Sequence, residues 1–501
     1  MSGLVLIGDG RTVASLHAGL AALPDAPGPI GALLLRREPC DVPDGFVLGL
    51  IDDLPIHAAE HDIDTALVCL PSSMTGALDR VRALLEMLGI QIRIAPDLAD
   101  TLAAAPAPVG FDLVALAGRT PRTPDEPRLD RVLAGKRVLI TGAGGSIGSE
   151  LARLAATRAP SELILMERSE NALFEIDQEI AALAPSVSRR AILHDVVDAP
   201  GTLRLFRETA PHTVYHAAAH KHVPMMEDHP SCAVNNNLFG AKAAADAAMQ
   251  TGVERFVFVS TDKAVNPSSV MGATKRLAEQ YIRGMGRLGG PRFCMVRFGN
   301  VLGSSGSVLT IWRRQIAAGG PVSVTDPEMT RFFMTIPEAA SLVVQASALD
   351  AREVGGADVF VLDMGEPVRV LSLACRAIHA AGYRPALPPG FRDPERLATN
   401  PVALGTIRIE FTGARPGEKV HEQLAHAGES LHNTPIPGIL AWASPGPSAA
   451  ELHTMTLDMA SVRHEPNSQT VLDALRRWTP TLDVQPRSPE IVVRDLGVPA
   501  H

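Results

Sequence analysis

Short apolar runs alternate with longer amphipathic stretches along most of this chain. "LVLIGDG", "GALLLRR", "TALVCLP" and "IQIRIAP" come first, ending near residue 100. Each is too short and too evenly apolar for a surface helix. Strands of a parallel sheet read this way, because helices cover both of its faces. A Pro/Ala-rich connector, "TLAAAPAPVG", and a polar, Pro-rich stretch, "RTPRTPDEPRLD", separate them from a second set. There "GKRVLIT", "ELILME", "AILHDVVD", "TVYHAAA" and "RFVFVS" alternate with helical segments. The pattern predicts an α/β protein in parts. A small Rossmann-like α/β domain spans 1–105 and a linker 106–134. A Rossmann-type doubly wound parallel sheet spans 135–430, with substrate-binding parts mainly in 297–430. Beyond about residue 380 the pattern loosens into Pro-rich loops, so 431–501 reads as a C-terminal extension ending in a tail, "QPRSPEIVVRDLGVPAH".

The two sets differ at their first turns. The first has Gly8 and Gly10 but no third glycine at a useful spacing, which suits a domain used for packing or regulation. In the second, the strand Val138 to Thr141 runs into Gly142, Gly145 and Gly148, and a helix follows at once. Gly142 allows a tight turn, Gly145 lets backbone approach a pyrophosphate, and Gly148 permits close helix–strand packing. Ser146 and Ile147 open that helix and complete the candidate phosphate-binding turn. Glu167 ends the next strand, where a carboxylate accepts hydrogen bonds from adenosine ribose hydroxyls and favours NAD. Arg168 follows directly and suits a 2′-phosphate, which keeps NADP open. Asp195 and Val196 follow a further strand where adenine would lie, and Ala217 follows "TVYH".

Composition narrows the class. The chain has 501 residues, 46% hydrophobic and 20% charged, with a formal net charge of −9 and no Lys/Arg block for tracking phosphates. No nucleic-acid partner is expected. The cysteines at 40, 69, 232, 294 and 375 form no C-x-x-C pair, which favours buried thiols in a reducing compartment. "MSGLVLIGDG" enters a strand-like run without a signal peptide, and no 18-residue apolar stretch occurs. A cytoplasmic protein without a membrane span is expected. His216, His220 and His222 lack a carboxylate in a fixed frame, so no metal is expected. The Ser pairs 268–269 and 304–305 have no His/Asp partner nearby in sequence for nucleophilic hydrolysis.

Six motifs then occur in order: "TGAGGSIGSEL", "HAAAHKHVPMMEDHP", "FVSTDKAVNPSSVMGATK", "VRFGNVLGSSGSV", "DPEMTRFFMTIPEAA" and "GARPGEK". Together they resemble the nucleotide-sugar 4,6-dehydratases of bacterial polysaccharide biosynthesis, in the extended short-chain dehydrogenase/reductase superfamily. The likeness covers about residues 110 to 425. It implies action on UDP-N-acetylglucosamine with NAD as cofactor. A hydride leaves sugar C4, water is lost across C5 and C6, and the hydride returns to C6. It also implies a homo-oligomer, since helices flanking the fourth and fifth strands commonly pair subunits in this superfamily.

The residues can be tested against that chemistry. Dehydration needs an acid for the C6 hydroxyl and a base for the C5 proton. Asp262 and Lys263 are the candidate pair, reaching one substrate only if the strand has ended, since adjacent strand residues face opposite ways. Asp262 as acid calls for a raised pKa, and Lys263 as base for a lowered one. Related dehydratases often carry Glu at the second position. Short-chain dehydrogenases usually place Tyr four residues before the Lys that is Lys275 here, yet position 271 holds Met, whose thioether takes no proton. The resemblance implies a branch that shares this Met. The C4 hydroxyl proton then passes through Thr261 to Asp262, while Lys275 holds the nicotinamide ribose. On the substrate side, Asn300 and Lys221 are candidates for the sugar pocket and residues 235–237 for backbone support. By resemblance, Arg331 and Arg415 contact the diphosphate and Glu418 accepts from the nucleotide ribose. Two alternatives stay open: a UDP-sugar 4-epimerase on the same fold, and a non-catalytic sensor of NAD and nucleotide sugar.

Overall fold

The computed structural model describes residues 3–21, 28–61, 63–69, 80, 81, 84, 85, 87–94, 113, 116, 122–391, 405–415, 417–426, 428–443 and 446–482. The expected connector "TLAAAPAPVG" and the expected terminal tail lie outside them. The chain divides into two compact units, Met1–Gly110 and Phe111–His501.

In the first unit a parallel sheet is formed by β1 (Gly3–Gly8), β2 (Gly31–Leu34), β3 (Val47–Leu50), β4 (Ile63–Cys69) and β5 (Gln91–Ile94), in the order β3-β2-β1-β4-β5. Four of these are the anticipated apolar runs. β3 was not anticipated: its four residues are all half-buried and Gly49 interrupts the run. The turn into α1 (Gly10–Ala21) is filled by the protein's own acids. Glu38 Oε1 accepts the Gly10 N–H at 2.8 Å and Asp9 Oδ1 accepts the Thr12 N–H at 2.8 Å. Helix-terminal donors that would attract a phosphate are thereby satisfied from within.

The second unit opens with α2 (Glu126–Leu133), capped by Asp125 and burying Leu129, Val132 and Leu133. These residues fall in the stretch expected as linker, yet they belong to the core of the large sheet. That sheet contains β6 (Arg137–Thr141), β7 (Glu162–Glu167), β8 (Arg189–Leu193), β9 (Thr213–His216), β10 (Arg255–Val259), β11 (Arg292–Arg297) and β12 (Val359–Leu362). Its parallel order, β12-β11-β10-β9-β6-β7-β8, reverses direction between β6 and β9. Ligands bind outside the carboxyl ends of strands at such a switch point. A smaller cluster around Trp312 joins the helices Val308–Ala317 and Val370–Ala380 to the strands Val322–Val324, Arg384–Ala386 and Thr406–Phe411.

The C-terminal part is more ordered than its loosened pattern suggested. β13 (His432–Asn433) and β14 (Ile439–Trp442) extend the sheet, β14 pairing antiparallel with β12. Two helices follow, α3 (Ala449–Val462) and α4 (Ser468–Trp478). Their apolar positions Leu452, Met455, Met459, Val471, Leu472 and Leu475 are buried in the main core. They pack against the helix Val270–Gly286, where a Cβ on Gly284 would lie 2.0 Å from Leu452 Cδ1. This helix follows the fifth strand, so part of the surface expected to meet a second subunit is covered within the chain. Cys69, Cys294 and Cys375 are buried, as expected; Cys40 is only half-buried and Cys232 is exposed, so the expectation of buried thiols is corrected for these two. No helix among the described residues is long and apolar enough to cross a membrane.

Candidate active site

At the switch point lies a cavity of about 580 Å³ lined by Gly142, Gly145, Glu167, Arg168, Asp195, Val196 and Ala217, among others. Gly142 sits at φ +68°, a conformation glycine adopts without strain. A Cβ on Gly148 would fall 2.0 Å from Gly142 O, so this glycine serves helix–strand contact, as the spacing predicts. The helix Ser146–Ala156 begins here with Gly145 as its cap and no side chain on its first N–H groups. Those donors, beside a glycine turn and an open cavity, suit a pyrophosphate. Ser146 instead contacts Ser305, and Ile147 packs on the apolar core. Glu167 accepts from the N–H groups of Gly144 (3.2 Å), Arg168 (2.9 Å) and Ser169 (3.1 Å). Arg168 turns toward Asn236 Oδ1 at 3.2 Å, Asp195 Oδ2 at 4.0 Å and the His220 ring.

The three histidines part company. His216 is buried against Thr141 Oγ1 at 2.8 Å, and desolvation drives its pKa down to about 3. His220 faces Arg168, while His222 is exposed near Gly306. A group that sequence reading did not single out, His57, Glu60 and His61, lies close together in the first unit, with Glu60 and His61 exposed.

β10 ends at Val259, and Asp262–Ala264 form one 3-10 turn capped by Thr261. The strand has therefore stopped where two adjacent side chains must converge. Asp262 Oδ1 accepts from Thr261 Oγ1 at 2.9 Å and from Lys263 Nζ at 3.1 Å. A third member arrives from the C-terminal segment: Glu422 Oε1 is 2.6 Å from Lys263 Nζ. Asn300 Nδ2 donates to Glu422 Oε2 at 2.9 Å, and Arg331 Nε lies 3.3 Å from Oε1. Asn300 thus joins the cluster. Arg331 was expected at a diphosphate, but its guanidinium is directed to Glu422 and to the carbonyls of Thr330 and Val420. Glu422 stands three residues beyond "GARPGEK" and was not singled out from the sequence; only its place in the fold makes it a partner of Lys263.

Within this cluster the expected protonation is reversed. Burial opposes a charged Lys263, but Asp262 and Glu422 more than offset it and push the amine up to about 12. Burial likewise works to raise Asp262, yet the Lys263 charge and surrounding hydrogen bonds bring it below its ordinary value. The raised carboxyl is Glu422, pushed up to about 7 chiefly by burial.

Met271 is packed in the main core at the start of the helix Val270–Gly286, one turn before Lys275. Lys275 Nζ donates to Val259 O at 2.6 Å and lies 3.8 Å from the centre of the Phe258 ring. Desolvation lowers its pKa to about 7. Asn237 braces the site, bonding both the N–H and C=O of His220 as well as Thr274. Lys221 is exposed, and Arg415 is exposed with its own N–H on Glu418 Oε2 at 3.1 Å.

Comparison with known proteins agrees with this architecture. Over 424 residues the chain is 41% identical to the probable polysaccharide biosynthesis protein EpsC of Bacillus subtilis, covering 80% of this chain and 67% of that one. The chain thus spans about two thirds of that relative's length. It is 30% identical over 301 residues to an inverting UDP-N-acetylglucosamine 4,6-dehydratase of Campylobacter jejuni, covering 59% of this chain and 79% of that one. The X-ray structure of Pen from Bacillus thuringiensis superposes with a TM-score of 0.54 at 28% identity, covering 63% of this chain and 90% of the other. Residues 138–443 match the family model described as polysaccharide biosynthesis protein. That span holds the glycine turn, the Asp262–Lys263 turn and Glu422, and the chain belongs to the polysaccharide biosynthesis protein family.

Proposed function

We propose that the protein is a UDP-N-acetylglucosamine 4,6-dehydratase that makes a UDP-4-keto-6-deoxy sugar for surface polysaccharide or glycan synthesis. The observation that carries this reading is the pairing of Asp262 and Lys263 on one turn beyond β10, 3.1 Å apart, with Met271 where a proton-carrying Tyr would otherwise stand. A 4-epimerase has no use for an acid and a base beyond the C4 hydroxyl, and it needs the group that Met271 lacks. The likeness to the Campylobacter dehydratase supports the same substrate.

NAD is the proposed cofactor; bound, it supplies reversible hydride storage. Glu167 suits ribose hydroxyls, and Arg168, directed to Asn236 and Asp195, is drawn away from a 2′-phosphate. Thr261 and Asp262 take the C4 hydroxyl proton, since the Thr261 hydroxyl already donates to Asp262. Asp262, now protonated, gives that proton to the departing C6 hydroxyl. Lys263 removes the C5 proton and later returns one. Asn300 positions the sugar, and Arg415 offers the exposed guanidinium for the diphosphate.

The test is incubation with UDP-N-acetylglucosamine in D2O, followed by NMR and mass. Loss of one water, one deuterium at C5 and no net NADH is the expected result. An unchanged sugar on protein with NAD bound overturns the proposal in favour of a sensor.

A further inference from the structure

The C5 base must be neutral when it acts, yet Lys263 rests between two carboxylates that hold it as an ammonium. Something has to take that proton before each turnover. Glu422 has the shortest contact to Lys263 Nζ, 2.6 Å, against 3.1 Å for Asp262 and 3.5 Å for Asn300. Its side chain is 4% exposed while that of Lys263 is 26% exposed, so Lys263 is the more accessible of the two and Glu422 the more enclosed. Asn300 and Arg331 fix the carboxylate from its other sides.

Building on the dehydratase reading, we infer that Glu422 is the proton partner of Lys263, accepting the ammonium proton so that the neutral amine can remove the sugar C5 proton. In the first step the proton moves from Lys263 Nζ to a Glu422 oxygen, leaving an amine and a neutral carboxyl. In the second, the amine takes the C5 proton; the C–H electron pair forms the enolate of the C4 ketone. The C6–O bond then breaks, its pair leaving with the proton from Asp262 as water. After hydride returns to C6, the Lys263 ammonium reprotonates C5. Glu422 finally gives its proton back to Lys263, and no proton is gained or lost. Glu422 acts through Lys263 and is a positioning residue in this sense.

The charged groups that face Glu422 are Asp262 and Lys263 from the 3-10 turn, Arg331 from the strand Thr330–Arg331 and Lys419 on its own segment. Buried among them, Glu422 titrates at about 7, and only its ionised form can accept a proton. Turnover by the wild type is therefore expected to fall as pH drops through about 7.

The experiment measures kcat against pH for wild type, Glu422→Gln and Glu422→Asp, with C5 deuterium exchange and transient NADH absorbance. Glu422→Gln is expected to retain the NADH transient, lose about 10²-fold in C5 exchange and kcat, and lose the acid limb near neutrality. Glu422→Asp keeps a carboxylate and is expected to keep that limb at reduced kcat. A Gln variant with the wild-type limb, or an Asp variant without one, overturns the inference. So does an Asp variant that retains the NADH transient but is no more active than the Gln variant. Wild type that leaves UDP-N-acetylglucosamine unchanged would instead overturn the dehydratase reading itself.

Discussion

Replacing Arg297 by Met tests how the catalytic turn is held. Arg297 is fully buried on β11 and bonds Glu279 through Nε (2.7 Å) and Nη2 (2.6 Å), and Glu429 through Nη1 (2.9 and 2.8 Å). Glu279 also accepts the Ser260 hydroxyl at 2.6 Å, two residues before Asp262. One guanidinium thus joins the strand, the helix Val270–Gly286, the C-terminal segment and the start of the catalytic turn. Arg297→Met leaves two buried carboxylates to share Arg276, which lies 3.5 and 3.6 Å from them. Breaking a buried pair by removing one partner costs about 3–5 kcal/mol. With an unfolding entropy of about 2.1 cal/mol/K per residue, the 391 residues of the second unit give about 0.8 kcal/mol/K, and the melting temperature should fall by about 4–6 °C. The pH dependence gives a second, independent sign. In the wild type Glu279 is held down at about 2, from an ordinary value of 4.5. Its contribution is present above 4.5 and is lost as pH falls toward 2. In the variant an unpaired buried carboxylate is raised instead, so stability relative to wild type should increase as pH drops from about 7 to about 5. Calorimetry across that range reads both. A shift under about 1 °C, or a stability gap that widens toward pH 5, would refute the reasoning.

Three further outcomes are expected. Asp262→Asn should lose both the NADH transient and water loss, measured by stopped-flow absorbance; retained hydride transfer would remove Asp262 as acceptor of the C4 proton. Gly148→Ala places a Cβ 2.0 Å from a backbone oxygen, so overpacking should cost about 1–3 kcal/mol and weaken NAD binding at least about tenfold by calorimetry. Leu452→Ala removes the side chain that fills the space over Gly284, and a loss of about 2–4 kcal/mol in denaturant unfolding is expected.

The strands leading into the first turn of each unit were legible because parallel strands buried on two faces leave uninterrupted apolar runs, as at Val138–Thr141. β3 was not, since a half-buried four-residue strand containing Gly49 carries little signal. The helices α3 and α4 were hidden by the Pro-rich loops before them, although Ser448 with Glu451 forms a capping box at the start of α3. In the candidate site, Asp262 and Lys263 could be read because they are neighbours on one turn. Glu422 meets Lys263 across 159 residues of chain, a contact that no local spacing encodes. Asp262 and Lys263 shift each other, with Glu422 adding to the effect, so the expected directions for both failed together. Arg331, expected at a diphosphate by resemblance, lies 3.3 Å from that same Glu422, a partner that sequence spacing could not show.

The antiparallel pairing of β14 with β12 also sets an order of events during synthesis. Val359–Leu362 is an unbroken Val-Phe-Val-Leu strand, buried at every position. Until Ile439–Trp442 has been made, one edge of that strand has no backbone partner in the sheet. At about 5–20 residues per second the intervening chain takes roughly 4–15 s to emerge. For that time the nascent protein presents an apolar open edge, the kind of surface on which chains associate wrongly. A ribosome that stalls, or a gene truncated, between these two strands therefore yields an aggregation-prone sheet, even though every residue of the cofactor turn and the Asp262–Lys263 turn has already been translated.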